Sequence, residues 1–364
     1  MLIITVRKQL EQLFGTDGYT RVRFALDDYA ESAGALVLAV DDSDDCAALG
    51  LAAVSGTDSG TIVLAVRGAR TKLGSDATDG LLIVGGDSVV PHFQITNPVS
   101  DRILDEDTVV FSDNPYGAAS ETLEQYLAPS FPVGRLVQPD NTADNFVTLI
   151  KGLTAQHTSG RPNNDGAVMV VNEDWIDYSK RAAGSLPGPQ SWHISPGYEM
   201  NAADAARAIL YFNLHGFSGD PNWKGYSDRQ GTFVTAVTPD VFSRSYVQGS
   251  IAFAECCYGA ETRGRSVGNS CALKLVNEGA AFVGATGLAY GSYLAADLFL
   301  EDADFLARAF FSGVTSGNSI GVSLQSARRA YLLDTTENLT DSAWQYKQKT
   351  LLQFVLFGDP RWTM

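Results

Sequence analysis

Two short apolar runs in the second half of the chain each stop at side chains able to do acyl-transfer chemistry. Residues 211–214 (YFNL) end at His215-Gly216, and residues 251–254 (IAFA) end at Glu255-Cys256-Cys257-Tyr258-Gly259. A free thiol, with an ordinary pKa of about 8.5, is mostly protonated near neutrality. A neighbouring imidazole can take that proton or hold the thiolate as an ion pair. Gly216 carries no Cβ, which leaves room for a substrate backbone. Its N–H, together with that of Cys257, could hold an oxyanion. A structural reading also exists: a capped strand end and two small buried cysteines. Both motifs in this order favour the chemical one.

Elements must bring these groups together. Apolar runs of this length bounded by glycine read as buried strands. In a parallel sheet their carboxyl ends open on one rim, where open α/β sheets carry their sites. Strand alternation sends Cys256 and Cys257 to opposite faces, so one thiol can serve. Residues 167–171 (AVMVV) form another such strand, ending at Asn172-Glu173-Asp174-Trp175 and placing an acid on the same rim. A carboxylate there could fix the imidazole tautomer, or could simply face a helix N-terminus.

Composition bounds the answer. With 364 residues, 45% hydrophobic and 19% charged, the chain reads as folded, with an N-terminal α/β sub-domain over 1–155 and a second over 156–364. A net charge of −16 without a basic run argues against a nucleic-acid partner. Four cysteines without CxxC, and histidines scattered at 92, 157, 193 and 215, suggest neither a zinc site nor a disulfide framework. No metal and no cofactor are expected, and the oligomeric state is left open. No run approaches the ~18 apolar residues of a membrane span, so no membrane partner is expected. The start, MLIITVRKQLEQLFG, lacks the order of a secretory signal, which suggests a cytoplasmic chain or a trimmed exported form.

Along the rest of the chain, residues 35–40 (ALVLAV) and 61–66 (TIVLAV) read as strands, and residues 41–45 (DDSDD) as a solvated turn. Residues 81–84 (LLIV) run into Gly85-Gly86-Asp87, but GxGxxG and GxxxxGK are absent and nucleotide binding is not expected. Residues 131–133 read as a strand, Gly134 as a turn, and Asn141 or Thr142 as the cap of a helix reaching Leu153. The polar stretch 154–166, with an exposed His157, is the expected boundary. A helix is expected over 201–209, a long loop after His215 whose Trp223 and Tyr226 could wall a peptide groove, and a core helix carrying Cys271.

In combination, His215-Gly216 followed by Glu255-Cys256-Cys257 resembles the caspase-like clan of cysteine peptidases. The flanks LLIVGGDSVVPHF, FSDNPYG and FPVGRLVQPD and the terminal LFGDP are similar to the gingipain family. The resemblance spans roughly residues 80–364. It implies a caspase-like, mostly parallel sheet flanked by helices, with a peptide or protein as substrate. It makes Cys257 the nucleophile and Cys256 the small residue before it, although a glycine three places on, Gly259, would instead select Cys256. It makes His215 the base and Glu173 its support, with Asp174 as fallback, and Gly216 and Cys257 the oxyanion donors. It places Asp177, Thr286 and Tyr290 in a pocket for a basic residue; Arg135, in the Gly-Arg-Leu turn, is expected to pair with a carboxylate between sub-domains rather than to contact substrate. The loop after Cys257 would be cut or move on activation. The alternative is an interaction or effector module that kept the fold without the activity.

Overall fold

The computed structural model of the chain describes residues 1–74, 79–159, 165–227, 229, 231–291, 293–295, 298–334 and 340–364. The first half supplies strands β1 (Leu2–Thr5), β2 (Leu36–Ala39), β3 (Leu81–Val84), β4 (Phe93–Thr96), β5 (Val109–Ser112) and β6 (Val133–Leu136). The second supplies β7 (Ala167–Asn172), β8 (Gln190–Ser195), β9 (Ile209–Asn213), β10 (Trp223–Ser227), β11 (Thr232–Val237), β12 (Ile251–Ala254), β13 (Ala281–Ala285), β14 (Tyr293–Ala295), β15 (Leu298–Leu300) and β16 (Phe354–Phe357). Ten of them form one sheet in the order β2-β1-β3-β6-β16-β13-β12-β9-β7-β8. The remaining six pair as antiparallel hairpins: β4 with β5, β10 with β11, and β14 with β15.

The sheet is parallel except at one seam. β16 runs parallel to β6 but antiparallel to β13. The two sets of strands therefore point opposite ways, and their carboxyl ends open on opposite edges. Strands β1, β3, β7, β9, β12 and β13 are buried along their whole length. That is why they read as unbroken apolar runs: both faces of a parallel sheet are covered. The α/β class and the mostly parallel sheet expected from the sequence are present.

Several local expectations are corrected. Residues 61–66 lie in the helix Ser59–Leu73, whose N-cap Asp58 accepts from the Thr61 N–H. Ile62, Val63, Val66 and Ala69 are buried while Leu64 is exposed, a helical spacing hidden inside an apolar run. Gly134 lies within β6 rather than in a turn; a Cβ there would sit 2.2 Å from the Gly358 carbonyl oxygen, so its bareness admits the end of β16. The helix expected over 201–209 is a single 3-10 turn, Ala202–Ala205. The long loop after His215 contains the β10–β11 hairpin, of which residues 228 and 230 lie outside the described residues. The polar stretch 41–45 is a capping device: Asp41 accepts from the N–H groups of Arg7 and Lys8, and Asp42 caps the helix Ser43–Ala48. Residue 155, the expected sub-domain limit, falls within the helix Ala143–Ser159, where His157 is exposed; residues 160–164 lie outside the described residues.

Candidate active site

Register brings the two motifs to one edge. β9 and β12 are hydrogen-bonded neighbours with Phe212 opposite Ala254, and His215 and Cys257 each stand three residues further on. Contact between them is made by backbone: a Cβ on Gly216 would lie 1.9 Å from the Cys257 carbonyl oxygen. Gly216 is thus filled by the cysteine loop itself, where the sequence reading had put substrate. Among the described residues no backbone carbonyl accepts from the Gly216 or the Cys257 N–H, and the Cys257 N–H faces its own sulfur. Tyr258, the next residue, has φ +55°, a left-handed conformation that a side chain adopts only when held.

The two adjacent thiols have different surroundings. Cys256 is fully buried in the core, and burial pushes its thiol well above the ordinary value. Cys257 is half-buried and lines a cavity of about 760 Å³. Its Sγ accepts from the Ala289 N–H at 3.3 Å and lies 3.5 Å from the Ala289 carbonyl. Burial raises this thiol too, so in the free protein it is protonated at neutral pH.

His215 sits in an aromatic cage. Its backbone bridges to Lys224 of β10, which anchors the hairpin over it. Its ring lies 4.4 Å from Trp175, 5.0 Å from Phe233 and 6.1 Å from Tyr226, centroid to centroid. Burial lowers its pKa to about 4, so the imidazole is neutral across the physiological range. Trp175 also lines the cavity that Cys257 opens on, so one indole touches the imidazole and borders the space in front of the thiol. Glu173 stands two residues past Val171, as His215 stands two past its partner Asn213. It is nevertheless exposed, and it makes no hydrogen bond among the described residues. Asp174 is exposed and lies 3.4 Å from the Asn172 amide.

The cavity has aromatic walls, including Trp175, Tyr178, Tyr290 and Tyr346, and an acidic floor of Glu255, Asp302 and Asp304. Glu255 is 6% exposed; its Oε1 accepts from the Tyr211 hydroxyl at 2.6 Å, and its Oε2 has no partner among the described residues. Burial, with the nearby Asp304 charge, pushes this carboxyl well above the usual range. Of the residues expected in a pocket, Tyr290 lines the cavity. Asp177 is exposed on the helix Ile176–Ala183 and is not among the lining residues. Thr286 is tied to the Phe111 carbonyl at 2.7 Å and borders a separate hollow of about 250 Å³. Arg135 is fully buried and pairs with Asp113, but within the first half of the chain rather than between halves. Glu255, Trp175 and Phe233 were not singled out from the sequence. The signal for Glu255 was there: positions 255 and 257 are two apart and so share a face.

No group of three or more His, Cys, Asp or Glu with metal-binding geometry occurs among the described residues, and no helix there is long and apolar enough to cross a membrane. No curated protein matches the chain. Among solved structures it resembles a protease at 12% identity and a TM-score of 0.62, covering 100% of this chain and 78% of that one. It also resembles the crystal structure of the Arg-specific cysteine proteinase gingipain R, at 12% identity and a TM-score of 0.60, over 99% of this chain and 77% of that one. These likenesses establish the caspase-like α/β fold. The model of peptidase family C25 matches residues 1–364, so the chain belongs to that family, the gingipain family, and is a cysteine peptidase.

Proposed function

We propose that the protein is an endopeptidase that cuts peptide bonds after Arg or Lys, with Cys257 as nucleophile and His215 as base. The observation that carries this reading is the half-buried Cys257 thiol opening on an aromatic-walled cavity, with the unbonded Glu255 oxygen in its floor. In the free state thiol and imidazole are both neutral, so the proton moves as sulfur attacks. Cys257 Sγ bonds to the carbonyl carbon while the thiol proton passes to the imidazole. The N–H groups of Gly216 and Cys257, neither of them bonded to a backbone carbonyl, receive the developing oxyanion. The C–N bond then breaks, the imidazolium proton goes to the leaving amine, and water, deprotonated by His215, hydrolyses the thioester. The aromatic cage shields the imidazole from water and fixes its plane, and so takes the orienting role expected of Glu173, which has no hydrogen bond to the ring among the described residues.

Glu255 takes the specificity role expected of Asp177. A guanidinium or ammonium entering between the aromatic walls would meet stacking faces and ionise Glu255, giving a charge-assisted pair at the floor. The family resemblance points the same way, since gingipain R is described as Arg-specific. Hydrolysis of peptides that differ only in the residue before the scissile bond tests this. Arg and Lys should exceed Ala and Asp by about 100-fold in kcat/KM, and Glu255→Gln should cut that ratio to about tenfold or less. A preference for neutral or acidic residues would overturn it.

A further inference from the structure

We infer that Asp107, braced by the buried Lys349, is a positioning residue for Cys257. The inference rests on Cys257 being the nucleophile. Lys349, on the helix Asp341–Gln353, is fully buried, and its ammonium lies 2.6 Å from Asp105 and 2.7 Å from Asp107. Taking these charges out of water is costly, and a buried ion cluster is poor value as a source of stability alone. What the cluster does is fasten the two backbone arms that hold the thiol.

One arm leaves Cys257 directly. Tyr258, in its left-handed conformation, donates its N–H to the Gly287 carbonyl at 2.8 Å and its hydroxyl to Asp107 Oδ1 at 3.0 Å. The other arm is the segment after β13. Its Leu288 N–H donates to Asp107 Oδ2 at 2.8 Å, and the Tyr290 hydroxyl donates to Asp105 Oδ2 at 2.5 Å. Between those two anchors lies Ala289, whose N–H meets the Cys257 sulfur. A Cβ at Gly287 would lie 2.5 Å from Asp107 Oδ2, so the carboxylate reaches the arm because that position is bare. Asp107 thus ties together the residue after the nucleophile and the residue before the one that touches its sulfur. Lys349 holds Asp107 and Asp105 side by side, so the tension of both arms is borne by one ammonium. Sulfur must be held within fractions of an ångström of its line of attack, and a clamp of this kind supplies that.

The test uses the full chain and Asp107→Asn. Two rates are compared with the parent: iodoacetamide labelling of Cys257, followed by mass spectrometry from pH 6 to 9, and turnover of an Arg-containing peptide. A clamp predicts that kcat falls by about tenfold or more with KM within about threefold, and that Cys257 labelling slows at every pH. A carboxylate that merely sits nearby predicts the opposite. Its charge raises the Cys257 thiol, so its loss would speed labelling and leave kcat unchanged, and that result overturns the inference. Should Asp107→Asn fail to fold, Tyr258→Phe removes one anchor alone. A drop of about threefold or more in kcat at constant KM supports the clamp, and an unchanged kcat overturns it. Failure of the nucleophile assignment is read separately, as activity that survives Cys257→Ala, while the labelling rate still reports on the clamp.

Discussion

Two edges of one sheet each carry a histidine and acidic residues, and the two histidines are set in opposite surroundings. On the edge of the first half, His92 is 3% exposed, with Nδ1 3.0 Å from Asp87 and Nε2 3.9 Å from Asp113, too far for a hydrogen bond. Asp113 in turn takes two nitrogens of the fully buried Arg135, whose third donates to the carbonyls of Gly85 and Val90. Burial opposes ionisation here, yet the Arg135 charge keeps the Asp113 carboxyl below its ordinary value. On the other edge His215 has rings for neighbours, Cys257 has an open cavity, and Glu255 has an oxygen with no partner among the described residues. An ion pair such as Asp113–Arg135 holds a fold; a neutral imidazole, a neutral thiol and an unpartnered carboxyl oxygen beside a cavity are available to a substrate.

The largest effect that would break the comparison lies on the second edge. Cys257→Ala or His215→Ala should lower kcat/KM for an Arg peptide by about 10³-fold or more while leaving the thermal midpoint within a few degrees. On the first edge the pattern inverts. Asp113→Asn leaves Arg135 buried without its ionised partner and should cost about 3–5 kcal/mol in denaturant unfolding, with turnover per folded molecule kept within about twofold. Cys256→Ala sharpens the contrast between neighbouring thiols: a loss of about 1 kcal/mol in stability with activity retained, measured by the same two assays.

The smallest effect is in pH. His215 has a folded pKa of about 4 against 6.5 for the free group, so the unfolded chain takes up that proton first. Its contribution to stability is complete above 6.5 and is lost as pH falls from 6.5 to 4. Asp87 has a folded pKa of about 2 against 3.8; burial opposes the shift, and the His92 bond prevails. Its contribution is complete above 3.8 and is lost as pH falls from there towards 2. Thermal midpoints against pH should therefore decline in two windows, with His215→Phe flattening the upper and Asp87→Asn the lower.

The sequence was most informative where one residue pattern has one structural outcome. Strand runs 81–84, 167–171 and 251–254 are buried on both faces, and their apolar continuity announced it; the run read as 211–214 is a strand that begins two residues earlier, at Ile209. The ordering of His215-Gly216 and Glu255-Cys256-Cys257 pointed to the candidate site, and the strands before the two motifs are parallel neighbours that end on one edge. Residues 61–66 misled because a helix packed by Ile62, Val63 and Val66 is as apolar over six residues as a strand, and the deciding cap, Asp58, lies outside the run. Asp107 and Lys349, 242 positions apart, left no local trace at all, since their meaning lies in a contact across the chain. The aromatic cage was half visible: Tyr226 was expected to wall the site, but Trp175 and Phe233 reach His215 through a 3-10 turn and a hairpin that spacing alone does not specify.

Whether Cys257 and His215 serve one opening is tested most directly by an irreversible acyloxymethyl ketone peptide ending in Arg, with the adduct mapped by mass spectrometry. One adduct on Cys257, slowed by about 100-fold or more in His215→Ala and unaffected by Cys256→Ala, is the predicted result. An adduct on Cys256, or a Cys257→Ala protein that still cleaves the parent peptide, would contradict it.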